Sequence, residues 1–326
     1  VRLVGSEMCI RDSPGHVSMF EFLKDGQLVV AGSHHGEIQI FDTAGRTITE
    51  WTQGPNIESR SRLRLRPGST REKLEFARAA RGEGDLELWS ASGEQIASWS
   101  NFQEPLSELT FSSDGKLLAA ITASGEVKIF SVKDQREIAS FKADVGGSGC
   151  LAFSPQSRWL ACGGTNRIVS VWDIENGEQT LKLDGHNGTI AAIAFSPDGG
   201  VLAAGTLQGN QAFLWDVHSG RQIARLHGHF QHVGSIDFSP DGRTIATGGG
   251  DRKVKLWNTD THQQITTLPI DGIISRVKFS PDGRTLAVQY RGNNRRRVLR
   301  LIHAATWQEI EETKSPPSVE IRASAL

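Results

Sequence analysis

The residues of this chain whose types and spacing could do chemistry are a few histidines, two cysteines and two groups of arginines. His34 and His35 are adjacent and offer two imidazoles to a metal ion. A zinc site needs further ligands at a compatible spacing, and none stands near them, so no metal and no cofactor is expected. Cys150 and Cys162 are symmetric about the Pro155–Ser157 turn, which is expected to set them opposite each other on two paired strands. They would form either a cross-strand disulfide or two buried thiols packed as small apolar side chains, and the lack of any wider disulfide framework favours the thiols. Arg60, Arg62, Arg64 and Arg66 alternate along one segment, and Arg291, Arg295, Arg296 and Arg297 crowd another. Guanidinium forks match carboxylate and phosphate. The two clusters are therefore either a site for an anion or acidic peptide, or a solvated rim paired to neighbouring glutamates. There is no Gly-x-Ser-x-Gly, no Gly-x-x-x-x-Gly-Lys-Ser/Thr, no His-Glu-x-x-His and no Cys-x-x-Cys, so no catalytic residue is assigned and the chain is not expected to be an enzyme.

What positions these side chains follows from composition first. The chain has 326 residues, of which 37% are apolar and 22% charged, with a net charge of −1, 35 Gly, 11 Pro, 3 Cys and 2 Met. No uncharged apolar run approaches the roughly 18–20 residues of a membrane-spanning helix. The near-neutral balance provides no global field for nucleic acid or an anionic membrane, so bulk nucleic-acid binding is not expected. Abundant glycine, scarce methionine and evenly spread turn residues argue against large helical domains. The segment from Leu3 to Ser13 resembles, residue for residue, the in-frame translation of a transposase adapter used in sequencing libraries. Residues 1–13 are accordingly read as a non-native segment, which would place the native N-terminus, and any upstream signal peptide or domain, outside this sequence.

From Ser13 onward a turn of the type Phe-Ser-Pro-Asp-Gly recurs. It is intact at Phe195, Phe238 and Phe279 and weaker at Phe22, Leu65, Phe111 and Phe153, giving spacings of 43, 46, 42, 42, 43 and 41 residues. A second landmark, an apolar alternation ending in an aromatic, falls at Phe41, Trp89, Phe130, Trp172, Trp215 and Trp257, with Ile302 as a degenerate seventh. Period-two segments on either side of these landmarks amount to four short strands per repeat. Proline and Asp-Gly between the first and second strands suit a tight hairpin, because Pro presets φ and Gly accepts positive φ. The many Ala and Gly within the strands suit sheets covered on both faces by neighbours. Sheets too small to bury themselves then close radially into one ring. The expected fold is all-β, a seven-bladed β-propeller of four-stranded antiparallel blades over residues 14–312, with a polar tail at 313–326. The last blade's fourth strand is expected at Thr306–Ile310.

At these residues the chain resembles the WD-repeat β-propeller family: Trp172-Asp173 and Trp215-Asp216 carry its dipeptide, and Gly185-His186 and Gly228-His229 its repeat-opening pair. The resemblance implies a buried hydrogen-bonded tetrad, complete in one repeat only, at Trp257, Thr247, His229 and Asp251. In other repeats the aspartate position holds Asn166, Gly209, Ser124 or His35, and the second repeat has no Gly-His. Family members often close the ring with an N-terminal strand lent to the final blade. Here closure is expected either by packing of blade 7 on blade 1 or, if these repeats are the tail of a longer array, by further blades. The resemblance further implies a cytoplasmic, non-enzymatic scaffold that binds proteins or peptides on its loop face. Candidate contacts by loop position are His34, His35, Arg60, Arg81, Arg167, Phe230, His232, Arg252 and Arg291, joined by Arg295 and Arg296 for an acidic partner. The rival readings are a regulatory propeller of a larger bacterial-type signalling protein, with a kinase or nucleotide-hydrolysing domain upstream, and the accessory propeller of a hydrolase.

Overall fold

A computed structural model describes residues 3–6, 17–32, 38–42, 47–51, 62–70, 72–79, 85–100, 102–147, 149–292 and 297–304. It contains no helix among them. The strands run from β1 (Leu3–Ser6) through β2 (Val17–Phe22), β3 (Leu28–Gly32), β4 (Ile38–Phe41) and β5 (Thr47–Trp51), the last four forming the first sheet. The second sheet is β6 (Arg62–Leu65), β7 (Glu75–Ala79), β8 (Leu86–Ser90) and β9 (Gln95–Trp99). The third is β10 (Leu106–Phe111), β11 (Leu117–Thr122), β12 (Glu126–Ser131) and β13 (Arg136–Lys142). The fourth is β14 (Cys150–Phe153), β15 (Trp159–Gly163), β16 (Val169–Asp173) and β17 (Glu178–Leu183). The fifth is β18 (Ile190–Phe195), β19 (Val201–Thr206), β20 (Gln211–Asp216) and β21 (Gln222–His227). The sixth is β22 (Val233–Phe238), β23 (Thr244–Gly249), β24 (Lys253–Asn258) and β25 (Gln264–Pro269). The seventh is β26 (Gly272–Phe279), β27 (Thr285–Gly292) and β28 (Arg297–Ala304), and its fourth member is β1. That last place was expected for Thr306–Ile310, which lies outside the described residues. An edge strand must pair its outward N–H and C=O groups or leave them to solvent, and here Leu3–Ser6 does the pairing, antiparallel to Leu301–Ala304.

Every sheet is antiparallel and keeps one register. The aromatic landmark of the third strand always faces the first apolar residue of the second: Phe41 faces Leu28, Trp89 Phe76, Phe130 Leu118, Trp172 Leu160, Trp215 Leu202 and Trp257 Ile245. Ile302 faces Leu286 in the same way. A bulge toward the fourth strand falls immediately before the landmark in sheets one to six. The extra residue re-aims the following side chain, so the repeat spacing fixes where each indole or phenyl ring points.

The second strands read as unbroken apolar runs because both of their faces are covered. In β11, Leu118 and Ala120 pack toward the second sheet while Ala119 and Ile121 pack toward the fourth. The same division recurs between neighbouring sheets around the ring, and Phe20 and Phe41 of the first sheet close it against Ala287, Leu299 and Leu301 of the seventh. Seven apolar clusters lie in the seven spaces between sheets. One sheet buries too little surface to be stable alone, so this radial packing is what makes the small sheets a domain. The hairpin turns lock locally: Ser112, Ser196, Ser239 and Ser280 each donate a hydroxyl proton to Asp114, Asp198, Asp241 and Asp282, two residues on. The following glycines, Gly115, Gly199, Gly242 and Gly283, have φ of 68°, 79°, 73° and 70°.

Cys150 and Cys162 do not face each other. Cys150 is opposite Gly163 and Cys162 opposite Leu151, one step out of register, so the two side chains leave the sheet on opposite faces. Both are free thiols, and burial pushes the Cys150 thiol up to about 12.

Candidate interaction face

The loops that join fourth to first strands and second to third strands share one face of the ring, and a chain of buried hydrogen bonds shapes it in the sixth sheet. Trp257 Nε1–H donates to Thr247 Oγ1 at 2.8 Å, and Thr247 Oγ1 in turn lies 2.8 Å from His229 Nε2. His229 Nδ1 lies 2.9 Å from Asp251 Oδ1. An indole can only donate, so the hydroxyl proton passes on to Nε2 and leaves Nδ1–H for the carboxylate. Burial holds the His229 pKa below its ordinary value, with Asp251 working against the shift. The imidazole is therefore neutral and in one tautomer. Asp251 uses its second oxygen to accept the Phe230 backbone N–H at 3.0 Å. The relay thus ends by fixing the loop that carries Phe230.

Phe230 is 78% exposed and Leu207, across a groove, is 46% exposed. The groove encloses about 550 Å³ and is lined by Asn187, Leu207 to Asn210 and Phe230 to His232. Its polar lining consists of side-chain amides and one imidazole, without a carboxylate. The Lys253 ammonium stands 5.1 Å from the centre of the Phe230 ring, a cation–π contact. Arg252, next to it, is exposed at φ 60°, and neither Arg252 nor Lys253 forms an ion pair among the described residues.

The other candidates fall as follows. His34, His35, Arg60, Arg81, Arg295 and Arg296 lie outside the described residues. Arg167 is exposed at φ 66° in the loop after β15, and its carbonyl lies 3.0 Å from His186 Nδ1. His232 is half-buried and its carbonyl accepts the Gly250 N–H. Arg291 is exposed within β27, opposite Ile273 and Arg297. Of the alternating arginines, Arg64 pairs with Glu108 at 2.6 Å, and Arg66 pairs with Glu75 and donates to the Gly115 carbonyl. These two are committed to structural partners. Leu207 and Lys253 were not singled out in the sequence, although Leu207 carried a signal as the one large apolar residue in a polar loop between second and third strands.

Comparison with known proteins agrees with this geometry. The family model "WD domain, G-beta repeat" matches residues 7–42, 136–173, 177–216 and 220–258. The chain carries WD repeats at these four places. It is 27% identical over 208 residues to telomerase Cajal body protein 1 of Mus musculus, covering 56% of this chain and 39% of the relative. The Rattus norvegicus protein of the same name gives the same identity and coverage. A WD repeat-containing protein of Synechocystis sp. is 32% identical over 104 residues, 32% of this chain and 30% of the relative. The chain thus spans about two fifths or less of the curated relatives it matches. WD repeats mark a protein-interaction scaffold and WD domains bind proteins or peptides, in a family whose members are generally non-enzymatic. Among the described residues no group of side chains could hold a metal ion.

The WD-repeat register shows how the other sheets treat the same buried indole. The Thr247 position, two residues beyond the landmark's partner, holds Ala204 in the fifth sheet. With the hydroxyl gone, Trp215 Nε1–H donates directly to His186 Nε2 at 3.1 Å, and Nδ1–H turns to the Arg167 carbonyl of the preceding sheet. Burial lowers the His186 pKa to about 4. In the second sheet Arg78 takes the position, and Trp89 Nε1–H donates to Glu87 at 3.0 Å while Arg78 pairs with the same carboxylate. In the seventh, Ile270, Val288 and Ile302 are all apolar and packed in one cluster. In the fourth, Cys162 holds the position and the buried Trp172 Nε1–H has no partner among the described residues, while its ring stacks on Phe141 at 4.2 Å.

His229→Ala should cost about 1–3 kcal/mol in chemical denaturation, because it strands the Thr247 hydroxyl and the Asp251 carboxylate together. Cys162→Thr should instead gain about 0.5–1.5 kcal/mol by giving Trp172 an acceptor. The pH dependence has a definite sign. Because the pKa of His186 is about 4 folded against 6.5 ordinarily, the unfolded chain binds more protons between those values. Stability should therefore fall as pH falls from 6.5 to about 4, and His186→Gln combined with His229→Gln should flatten that slope in urea midpoints measured across the range.

Proposed function

We propose that this chain is a cytoplasmic, non-enzymatic scaffold that binds an extended segment of a partner protein in the groove between Leu207 and Phe230. The observation that supports this reading is the placement of Phe230, a large apolar side chain left in solvent on a loop that buried hydrogen bonds hold rigid. Beyond its contact with Lys253 the exposed phenyl ring contributes little to the folded chain, yet covering it contributes about 1.5–3 kcal/mol to a complex. A preorganised aromatic anchor also loses little entropy on binding, as in interaction hot spots. The amide side chains around the groove suit the backbone of an extended peptide, and Arg252 and Lys253 favour an acidic residue beside its apolar anchor. The favoured partner is thus a peptide with leucine or phenylalanine flanked by aspartate or glutamate. The acidic-peptide reading moves with this from Arg64 and Arg66, which are engaged, to the loops of the fifth and sixth sheets. The two free thiols are compatible with a reducing, cytoplasmic compartment.

Fluorescence anisotropy against labelled ten-residue peptides, with the anchor and its acidic flanks varied independently, tests the reading. Phe230→Ala should weaken binding of the acidic, leucine-containing peptide at least tenfold. Arg252→Glu with Lys253→Glu should weaken it and abolish its salt dependence. Equal binding by wild type and Phe230→Ala would reject the groove, and equal binding of acidic and neutral peptides would reject the partner's charge.

A further inference from the structure

The groove between Leu207 and Phe230 carries an Asn-Gly dipeptide, Asn187-Gly188. A second one, Asn176-Gly177, stands in the turn between β16 and β17. Asparagine is the thermolabile amide of proteins, and glycine after it is the most permissive neighbour, because no side chain keeps the glycine nitrogen from reaching the asparagine Cγ.

The two pairs differ in the group that must attack. The Gly177 N–H is committed to the Asp173 carbonyl at 2.9 Å, within a turn where Gly177 has φ 70°. The Gly188 N–H has no hydrogen-bond partner among the described residues. The carbonyls under attack are alike: Asn187 Oδ1 accepts the Thr206 hydroxyl proton at 3.2 Å and Asn176 Oδ1 accepts the Glu178 N–H at 3.1 Å, so one donor polarises each. Both asparagines are exposed and open to water. Packing also demands the glycine of the groove, since a Cβ at position 188 would come 2.9 Å from the backbone nitrogen of Gln208. The loop therefore cannot shield Asn187 with a bulkier residue after it.

We infer that Asn187 is a spontaneous deamidation site and that its conversion turns the groove against acidic partners. Gly188 N gives its proton to solvent base and attacks Asn187 Cγ, closing a cyclic imide. The side-chain nitrogen takes up a proton and leaves as ammonia. Water then opens the imide at either carbonyl, leaving aspartate or its β-linked isomer, so one water is consumed, one ammonia is released and nothing is oxidised or reduced. A groove lined by amides and one imidazole thereby acquires a carboxylate, which opposes an aspartate or glutamate on the bound segment. This last step rests on the groove reading proposed above, and the deamidation itself does not.

The test incubates the full chain in mildly alkaline buffer and follows, by proteolysis and mass spectrometry, how fast each Asn-Gly peptide gains the mass of an acid. Asn187 should react at least about fivefold faster than Asn176, which is the difference made by first breaking the hydrogen bond on Gly177. In concentrated urea the two rates should converge, because the folded geometry that separates them is gone. Equal rates in the folded chain, or a ratio that urea leaves unchanged, would overturn the site. Asn187→Asp installs the charge without the imide, and in fluorescence anisotropy it should weaken the acidic, leucine-containing peptide at least about threefold more than its neutral counterpart. Equal effects on the two peptides would overturn the switch. A wild-type chain that binds neither peptide would overturn the groove reading and the switch with it, while the two rates still decide the modification.

Discussion

The indole N–H on the third strand is the constraint on which much of the remaining structure turns. Radial packing requires a large ring at that place to fill the space between sheets, and an indole so placed carries a donor away from water. A buried donor without an acceptor costs about as much as a whole sheet interface gains from one good side chain. An acceptor must then come from the second strand, from the third strand itself or from the loop that precedes the sheet, or the ring must lose its donor. Thr247 with His229, His186 alone, and Glu87 with Arg78 are three acceptors of different chemistry. Phe130 and Ile302 answer the same constraint by having nothing to donate. Among the described landmark residues only Trp172 is left with the cost unmet.

The relays also decide the shape of the binding face. A donor satisfied through histidine ends on the loop side of the sheet, where the second imidazole nitrogen needs an acceptor. In the sixth sheet that acceptor is Asp251, whose other oxygen pins the Phe230 backbone. In the fifth it is the Arg167 carbonyl, so His186 ties the loop of one sheet to the preceding one. A core requirement for hydrogen bonding is thereby converted into rigid loops, and rigidity is what lets an exposed Phe230 act as an anchor instead of folding back onto the surface.

Much of the architecture was legible because it repeats. The Phe-Ser-Pro-Asp-Gly anchors and the aromatic landmarks fix strand number, hairpin position and register, since each landmark faces the same partner residue in all seven sheets. What resisted reading was the chemistry between repeats. Arg64 looked like part of a basic patch because its partner, Glu108, lies in the next repeat, 44 residues away, and Glu21 finds Arg276 from 255 residues away. The cysteines misled for a local reason, since symmetry about a turn does not specify register to the single residue that decides which face a side chain takes. Phe230 was visible as an aromatic following Gly-His. Leu207 was marked only by being the one large apolar residue in a polar loop, a signal without periodicity that went unused.

The residue just before each anchor shows how far the ring's closure depends on that single-residue precision. These positions, Glu21, Arg64, Thr110, Ala152, Ala194, Asp237 and Lys278, line a central channel of about 600 Å³. On one arc they are small and uncharged. On the other they alternate in sign, with Lys278 3.8 Å from Asp237 and 3.7 Å from Glu21, and Arg276 2.6 Å from Glu21. Burial opposes the Glu21 carboxylate, but Lys278 and Arg276 outweigh it and hold its pKa below the ordinary value. Asp237 is pushed above its ordinary value by burial and still accepts the Phe279 N–H of the next sheet at 2.7 Å. The charged arc spans the sheets between which the two ends of the chain meet. A slip of one residue in β26 or β2 would carry Lys278 or Glu21 out of the channel and into the apolar space between sheets, where an unpaired charge costs several kcal/mol. The same slip would carry Val277 or Phe20 out of that apolar space and into the channel. The ion pairs and the apolar pattern therefore set the register of the closing interface together, while the apolar clusters supply most of the stabilisation around the ring.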